Sequence, residues 1–207
     1  MKKTTLLLVM IMAAGFAFGQ ISLGPKVGYN TSKLPTDVSE VSTDLKNSFN
    51  FGLFVRLGKK IYIQPEVNWL TRGGVFKRPE LGDLKPINQE VELKTIEIPV
   101  LLGWRIINLG VGNVRIMAGP SASIVTDKTV STSEGSNFTN PIEDSDIEDM
   151  IWGLNVGAGV DVLMFTLDVR YQLGLNEAIQ SVQGEGESFD FNSKSNVFSI
   201  SLGWKII

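Results

Sequence analysis

The run Phe165-Thr-Leu-Asp-Val-Arg-Tyr-Gln-Leu-Gly174 decides the fold. Taken in steps of two, it puts Phe165, Leu167, Val169 and Tyr171 on one side and Asp168 and Arg170 on the other. That is the period of an extended strand, whose successive side chains point to opposite faces. A strand built this way separates two environments, one apolar and one polar.

The same alternation marks eight segments, near 21 to 30, 49 to 58, 61 to 71, 91 to 106, 113 to 125, 150 to 162, 164 to 174 and 197 to 206. The connections alternate too. Stretches 31 to 48, 72 to 90, 126 to 149 and 175 to 196 are long and polar, whereas Lys59-Lys60, Ile107 to Gly112 and the step near Leu163 are short. All long loops therefore fall at one end of an antiparallel sheet and both termini at the other. Eight strands with one apolar face have to close on themselves or be covered, because open edges and exposed apolar surface invite aggregation. The sequence thus predicts an all-β chain, an eight-stranded antiparallel up-and-down transmembrane β-barrel with long extracellular loops and short periplasmic turns.

Two closed barrels satisfy the alternation: one with its apolar face in lipid, and a soluble one wrapped around an apolar ligand. Three observations favour lipid. The charges of the strand interiors, Lys26, Arg56, Glu66, Glu97, Arg105, Arg115, Asp161, Asp168, Arg170 and Lys205, share one parity, and so do Gly24, Gly28, Gly52, Gly103, Gly119, Gly153, Gly157, Gly159, Gly174 and Gly203. Glycine weakens a strand unless something approaches it closely, and a narrow lumen filled by long charged side chains provides that reason. On the opposite parity, Tyr29, Phe51, Trp69, Trp152, Tyr171 and Phe198 form a girdle at the long-loop side, and Trp104, Phe165 and Trp204 one at the other. Finally, ten residues at ~3.3 Å each, tilted by about 45°, rise about 23 Å, close to the ~25 Å apolar band of an outer-membrane barrel.

The N-terminus reads as an address. Lys2 and Lys3 precede the apolar run from Leu6, and Ala17-Phe18-Gly19 offers small residues for cleavage, which predicts a signal peptide over 1–19 and a barrel over 20–207. Removing its two lysines leaves 17 basic and 22 acidic residues, a formal charge of −5. The expected location is the bacterial outer membrane.

The chain of 207 residues has no Cys and no His. Thiolate nucleophiles, zinc-thiolate sites and imidazole bases are therefore excluded. Ser121 and Ser123 lack the G-x-S-x-G spacing of a nucleophile elbow, and the Gly-x-Gly pairs at 110, 157 and 184 do not complete a dinucleotide motif. Glu143 to Asp149 holds five acids in seven residues, but an EF-hand starting at Asp144 fails, with Asp149 where Gly is needed and Asn155 where Glu is needed. The expectation is no enzyme, no cofactor and no metal. The long loops sum to −9 and the remaining barrel to +4, an acidic rim that disfavours nucleic acid.

Several stretches resemble the PorT-like, porin-family outer-membrane β-barrel domain proteins of the Bacteroidetes type. They are Gly24-Pro-Lys-Val-Gly-Tyr-Asn30, Ile63-Gln-Pro-Glu-Val67, Ile96-Glu-Ile-Pro-Val-Leu-Leu102, Gly157-Ala-Gly159, Leu167-Asp-Val-Arg-Tyr-Gln-Leu-Gly174 and Ser199-Ile-Ser-Leu-Gly-Trp-Lys205. The resemblance implies an eight-stranded barrel and an outer-membrane address, without a single shared activity. The resulting expectation is a monomer in outer-membrane lipid, delivered by the barrel-assembly machinery, with a plugged polar lumen and an envelope-structural or surface-recognition role through its loops. The alternatives are a narrow channel for small solutes or ions and the soluble ligand-carrying barrel.

Overall fold

The computed structural model describes residues 21–33, 42–78, 87–132, 148–176, 182–184, 187–189 and 194–206. The signal-peptide stretch and most of the acidic loop 126–149 lie outside them. Eight strands form the barrel: β1 (Ile21–Lys33), β2 (Ser42–Gly58), β3 (Ile61–Arg78), β4 (Ile87–Asn108), β5 (Gly112–Thr132), β6 (Met150–Val162), β7 (Phe165–Gly174) and β10 (Asn196–Trp204). Each pairs antiparallel with its neighbour in sequence, and β1 pairs with β10 to close the sheet. A hairpin of β8 (Val182–Gly184) and β9 (Glu187–Phe189) lies within the stretch expected as loop 175 to 196.

The parity is the one that lipid demands. Burial alternates along β7 from exposed Phe165 to buried Thr166 and onward, with Leu167, Val169 and Tyr171 outside and Asp168, Arg170 and Gln172 inside. All nine girdle aromatics stand on the outer surface, where Phe51 stacks on Trp69 with ring centroids 5.1 Å apart. An apolar exterior around a charged interior is the inverse of a soluble barrel holding an apolar ligand. Closure leaves each barrel strand with a neighbour on both sides, which backbone in hydrocarbon requires.

The strands run further than the sequence pattern suggests, and this corrects the loop boundaries. β2, β3, β4 and β5 remain paired as far as Ser42↔Lys77, Arg78↔Ile87 and Gln89↔Thr132. The opposite wall ends near Asn196, Gly174 and Met150. Arg78 is nine residues beyond Trp69, so a four-stranded sheet stands roughly 20 Å past the girdle. The membrane alternation fails there because the outward face leaves the lipid and turns polar, at Thr71, Glu92 and Lys94, while apolar Leu70, Val91 and Leu93 face inward. Register shifts in β2 between Leu45 and Asn50, and in the β4–β5 pair at Lys94 and Thr95, lie where the sheet leaves the barrel. Bulges are common at barrel rims, where they bend and twist a strand.

Candidate functional site: the lumen and the projecting sheet

The lumen fills in layers. Near the short-turn end, the Tyr62 ring lies on Gly103, its cross-strand partner. Guanidinium carbons of Arg56, Arg105 and Arg115 stand 4.9, 5.6 and 5.9 Å from its ring centre. Arg115 donates to Tyr62 Oη at 3.0 Å and to Asp161 Oδ1 at 3.2 Å, and also to Thr166 and Asp168. Arg56 donates to Asp161 Oδ2 at 2.7 Å and to Gln64 Oε1 at 2.6 Å. Lys205, half-buried at the mouth, lies 3.8 Å from Asp161, and Arg105 donates to the backbone carbonyls of Gly58 and Lys59.

One layer higher, the fully enclosed Glu66 carboxylate collects Lys26, Arg170 at 2.9 Å, Gln64 at 2.6 Å and Asn68 at 3.1 Å. Isolated charges in such a place would cost several kcal/mol each. Convergence of two cations and two amides on one carboxylate offsets much of that cost.

Above it, Asn30, Asn50, Asn68, Glu97, Asn155, Arg170 and Gln172 help line a cavity of about 20 Å³. That is room for about one water and too little for a solute. Still higher, the interior turns apolar, with Leu70, Val91, Leu93, Ile151 and Val197 buried. Within this layer lies Arg72, fully buried, donating to Ser123 Oγ at 2.7 Å and 3.9 Å from Glu97.

Of the ten charges assigned to the lumen, eight are buried inside, and Arg105 and Lys205 sit half-buried at its short-turn mouth. Sequence reasoning missed four kinds of lumen residue: Arg72, placed in a loop; Tyr62; the amides Gln64, Asn68, Asn155 and Gln172; and the apolar set Phe54, Leu101, Met117, Leu70 and Leu93. All lie on the inward parity, which was the available signal. Ser121 and Ser123 also point inward, and Ser121 accepts from Asn155 at 2.9 Å and Gln172 at 2.8 Å. Among the described residues no group of three or more Asp and Glu is arranged to hold a metal ion.

The projecting sheet carries separate chemistry. Lys46 pairs with Glu90 and, at 2.9 Å, with Glu92, and Lys94 pairs with Asp127 at 2.8 Å. The hydrogen bonds that Lys46 donates to Glu90 and Glu92 raise its ammonium above its ordinary value, and the bond donated by Lys94 holds the Asp127 carboxyl below its own. Lys128 lies 2.9 Å from Asp149.

A closed antiparallel barrel with its charges inside and an aromatic-bounded apolar surface outside is a transmembrane β-barrel of the bacterial outer membrane. The chain belongs to the family described as outer membrane protein beta-barrel domain, whose model matches residues 13–180. No curated protein matches it. Among solved structures, it resembles the outer membrane protein OprG from Pseudomonas aeruginosa, at 12% identity and a TM-score of 0.52 over 90% of this chain and 95% of that one. It also matches Neisserial surface protein A, at 13% identity and a TM-score of 0.47, over 91% of this chain and all of that one. Ail, the attachment invasion locus protein of Yersinia pestis, matches at 12% and 0.45 with the same coverage.

Proposed function

We propose that this protein is an exported outer-membrane barrel with a plugged lumen, whose work is done outside the membrane by the sheet of β2 to β5 and the loops it carries. The observation that carries this reading is the unequal wall height: half of the barrel wall continues roughly 20 Å beyond the girdle as paired strand. Continuing strands order a recognition surface on a rigid base, which is where binding loops are usually set. From Thr126 to Thr132, β5 pairs with β4 on one side and with no strand on the other among the described residues. The role is one of binding and envelope architecture, with no catalytic step.

Lumen geometry supports the plug. Side chains from strands on opposite walls meet across the axis, as in Arg56 of β2 with Asp161 of β6 and Arg170 of β7 with Glu66 of β3. The PorT-like assignment rests on the Glu97-Ile-Pro99 and Asp168-Val-Arg-Tyr171 stretches, and the signal peptide on residues 1–19. A narrow ion channel is the second reading, favoured by the small polar cavity around Glu97 and Arg170.

Orientation is the test. Because the natural chain has no Cys, a Lys128→Cys variant offers one thiol on the projecting sheet. A membrane-impermeant maleimide should label it on intact cells. Labelling only after the outer membrane is permeabilised would turn the sheet towards the periplasm and sink the recognition role.

A further inference from the structure

Three turns bound the short-turn end, and their chemistry differs. β2 and β3 join through exposed Lys59 and Lys60. β4 and β5 join through Leu109, Gly110 and Val111, and β6 and β7 through Leu163 and Met164. Leu109, Val111 and Leu163 are 66, 71 and 69% exposed, and Ile206, just past β10, is 60% exposed. Backbone hydrogen bonds fasten these apolar segments side by side: Leu163 N–H to Val111 O at 3.0 Å, Lys205 N–H to Met164 O at 2.7 Å, and Ile206 N–H to Leu23 O at 2.8 Å. The result is an apolar arc along one side of the rim, continuous with Trp104, Phe165 and Trp204 of the girdle.

Turn tips are ordinarily polar, and left-handed positions within them ordinarily carry Gly, Asn or Asp. Leu163 has φ of 50°. A leucine in that region is strained by its Cβ against the backbone, where a glycine would not be. In the neighbouring turn Gly110 takes the left-handed position, with φ of 79°, and apolar residues stand on both sides of it. Strain kept at one residue points to a use for its side chain. No polar residue separates the arc from the lipid-facing surface along the outward row Val160, Val162, Leu163, Met164, Phe165, Leu167.

We propose that this arc is a lipid anchor: Leu109, Val111, Leu163, Met164 and Ile206 sink into the phospholipid interface below the girdle, deeper than the Lys59–Lys60 turn, which stays in the aqueous headgroup layer. The occupant is the bilayer, because the arc prolongs a surface already in lipid, and ammonium groups at the opposite turn suit phosphate headgroups. The anchor operates whichever way the barrel faces.

Single-cysteine variants Leu109→Cys, Leu163→Cys and Lys60→Cys, labelled with an environment-sensitive fluorophore, test it in phosphatidylcholine vesicles free of other protein. Insertion is verified beforehand by heat-dependent gel mobility, and Met164→Cys replaces Leu163→Cys if that variant does not insert. The labels at 109 and 163 should emit further to the blue, be quenched by lipids spin-labelled on the acyl chain, and resist aqueous iodide several-fold better than the label at 60. Equal iodide quenching at all three positions would overturn the anchor and point instead to a protein that covers the arc. Leu163→Asn, which suits the left-handed backbone, should make a label at position 109 several-fold more accessible to iodide. No change there would also contradict the proposal.

Discussion

The Tyr62 ring occupies the place that any side chain on Gly103 would need: a methyl group there would lie 2.0 Å from Tyr62 Cζ. The two residues face each other across β3 and β4. Gly103 lets the ring lie flat against the wall, and the ring in turn gives Arg56, Arg105 and Arg115 a common surface.

Gly103→Ala should therefore destabilise the barrel by about 1–3 kcal/mol, the usual cost of overpacking. Urea unfolding in lipid vesicles measures it. In a Tyr62→Ala background most of this penalty should disappear, since residues in contact are not additive.

Glu66→Ala should be far more damaging, because it leaves Lys26 and Arg170 buried without their shared carboxylate. Breaking such a set costs about 3–5 kcal/mol. Lys26→Met, which leaves the Arg170–Glu66 pair in place, should cost distinctly less in the same unfolding assay.

Arg72 behaves differently from the other lumen cations. Its Nε and Nη1 have no hydrogen-bond partner, its cross-strand partner is Leu93, and Leu70 shares its face. Arg72→Met keeps the volume and removes a poorly satisfied charge, so stability should change by less than about 1 kcal/mol, or rise. A loss comparable to that of Glu66→Ala would show that Arg72 is held better than its geometry implies.

How much of this was legible beforehand follows from what each pattern records. Strand number, parity and girdles could be read because lipid imposes a period of two on every membrane-crossing segment, as in Phe165 to Gly174. The identity of eight buried charges followed from that parity alone. The extensions of β2 to β5 were not legible, because above Trp69 the outward face leaves the lipid and turns polar, as at Thr71, Glu92 and Lys94, while the inward face buries Leu70, Val91 and Leu93, so the membrane alternation no longer holds. Arg72 was misplaced for the same reason. The partnership of Arg56 with Asp161 was also hidden, since they are 105 positions apart and meet only through barrel closure.

On the projecting sheet, the Lys94 bond lowers the Asp127 carboxyl from its ordinary 3.8. A depressed native value means that the pair contributes above the ordinary Asp range and fades as pH falls through the lowered value. The Lys94 ammonium is raised by the same bond, so its contribution is complete below 10.5 and is lost as pH rises through the raised value. Lys94→Ala should bring the Asp127 midpoint, followed by NMR of the carboxyl carbon, back up towards 3.8.

Whether the lumen is closed is measured by single-channel recording of the inserted mature chain in a planar bilayer. With insertion verified by heat-dependent mobility, the protein should be silent at neutral pH, with discrete openings only when the Glu66 cluster is broken, as in Glu66→Ala. Steady unitary conductance from the unaltered chain, changing in size with Arg105→Ala or Glu97→Ala, would contradict the plug and make this barrel a channel.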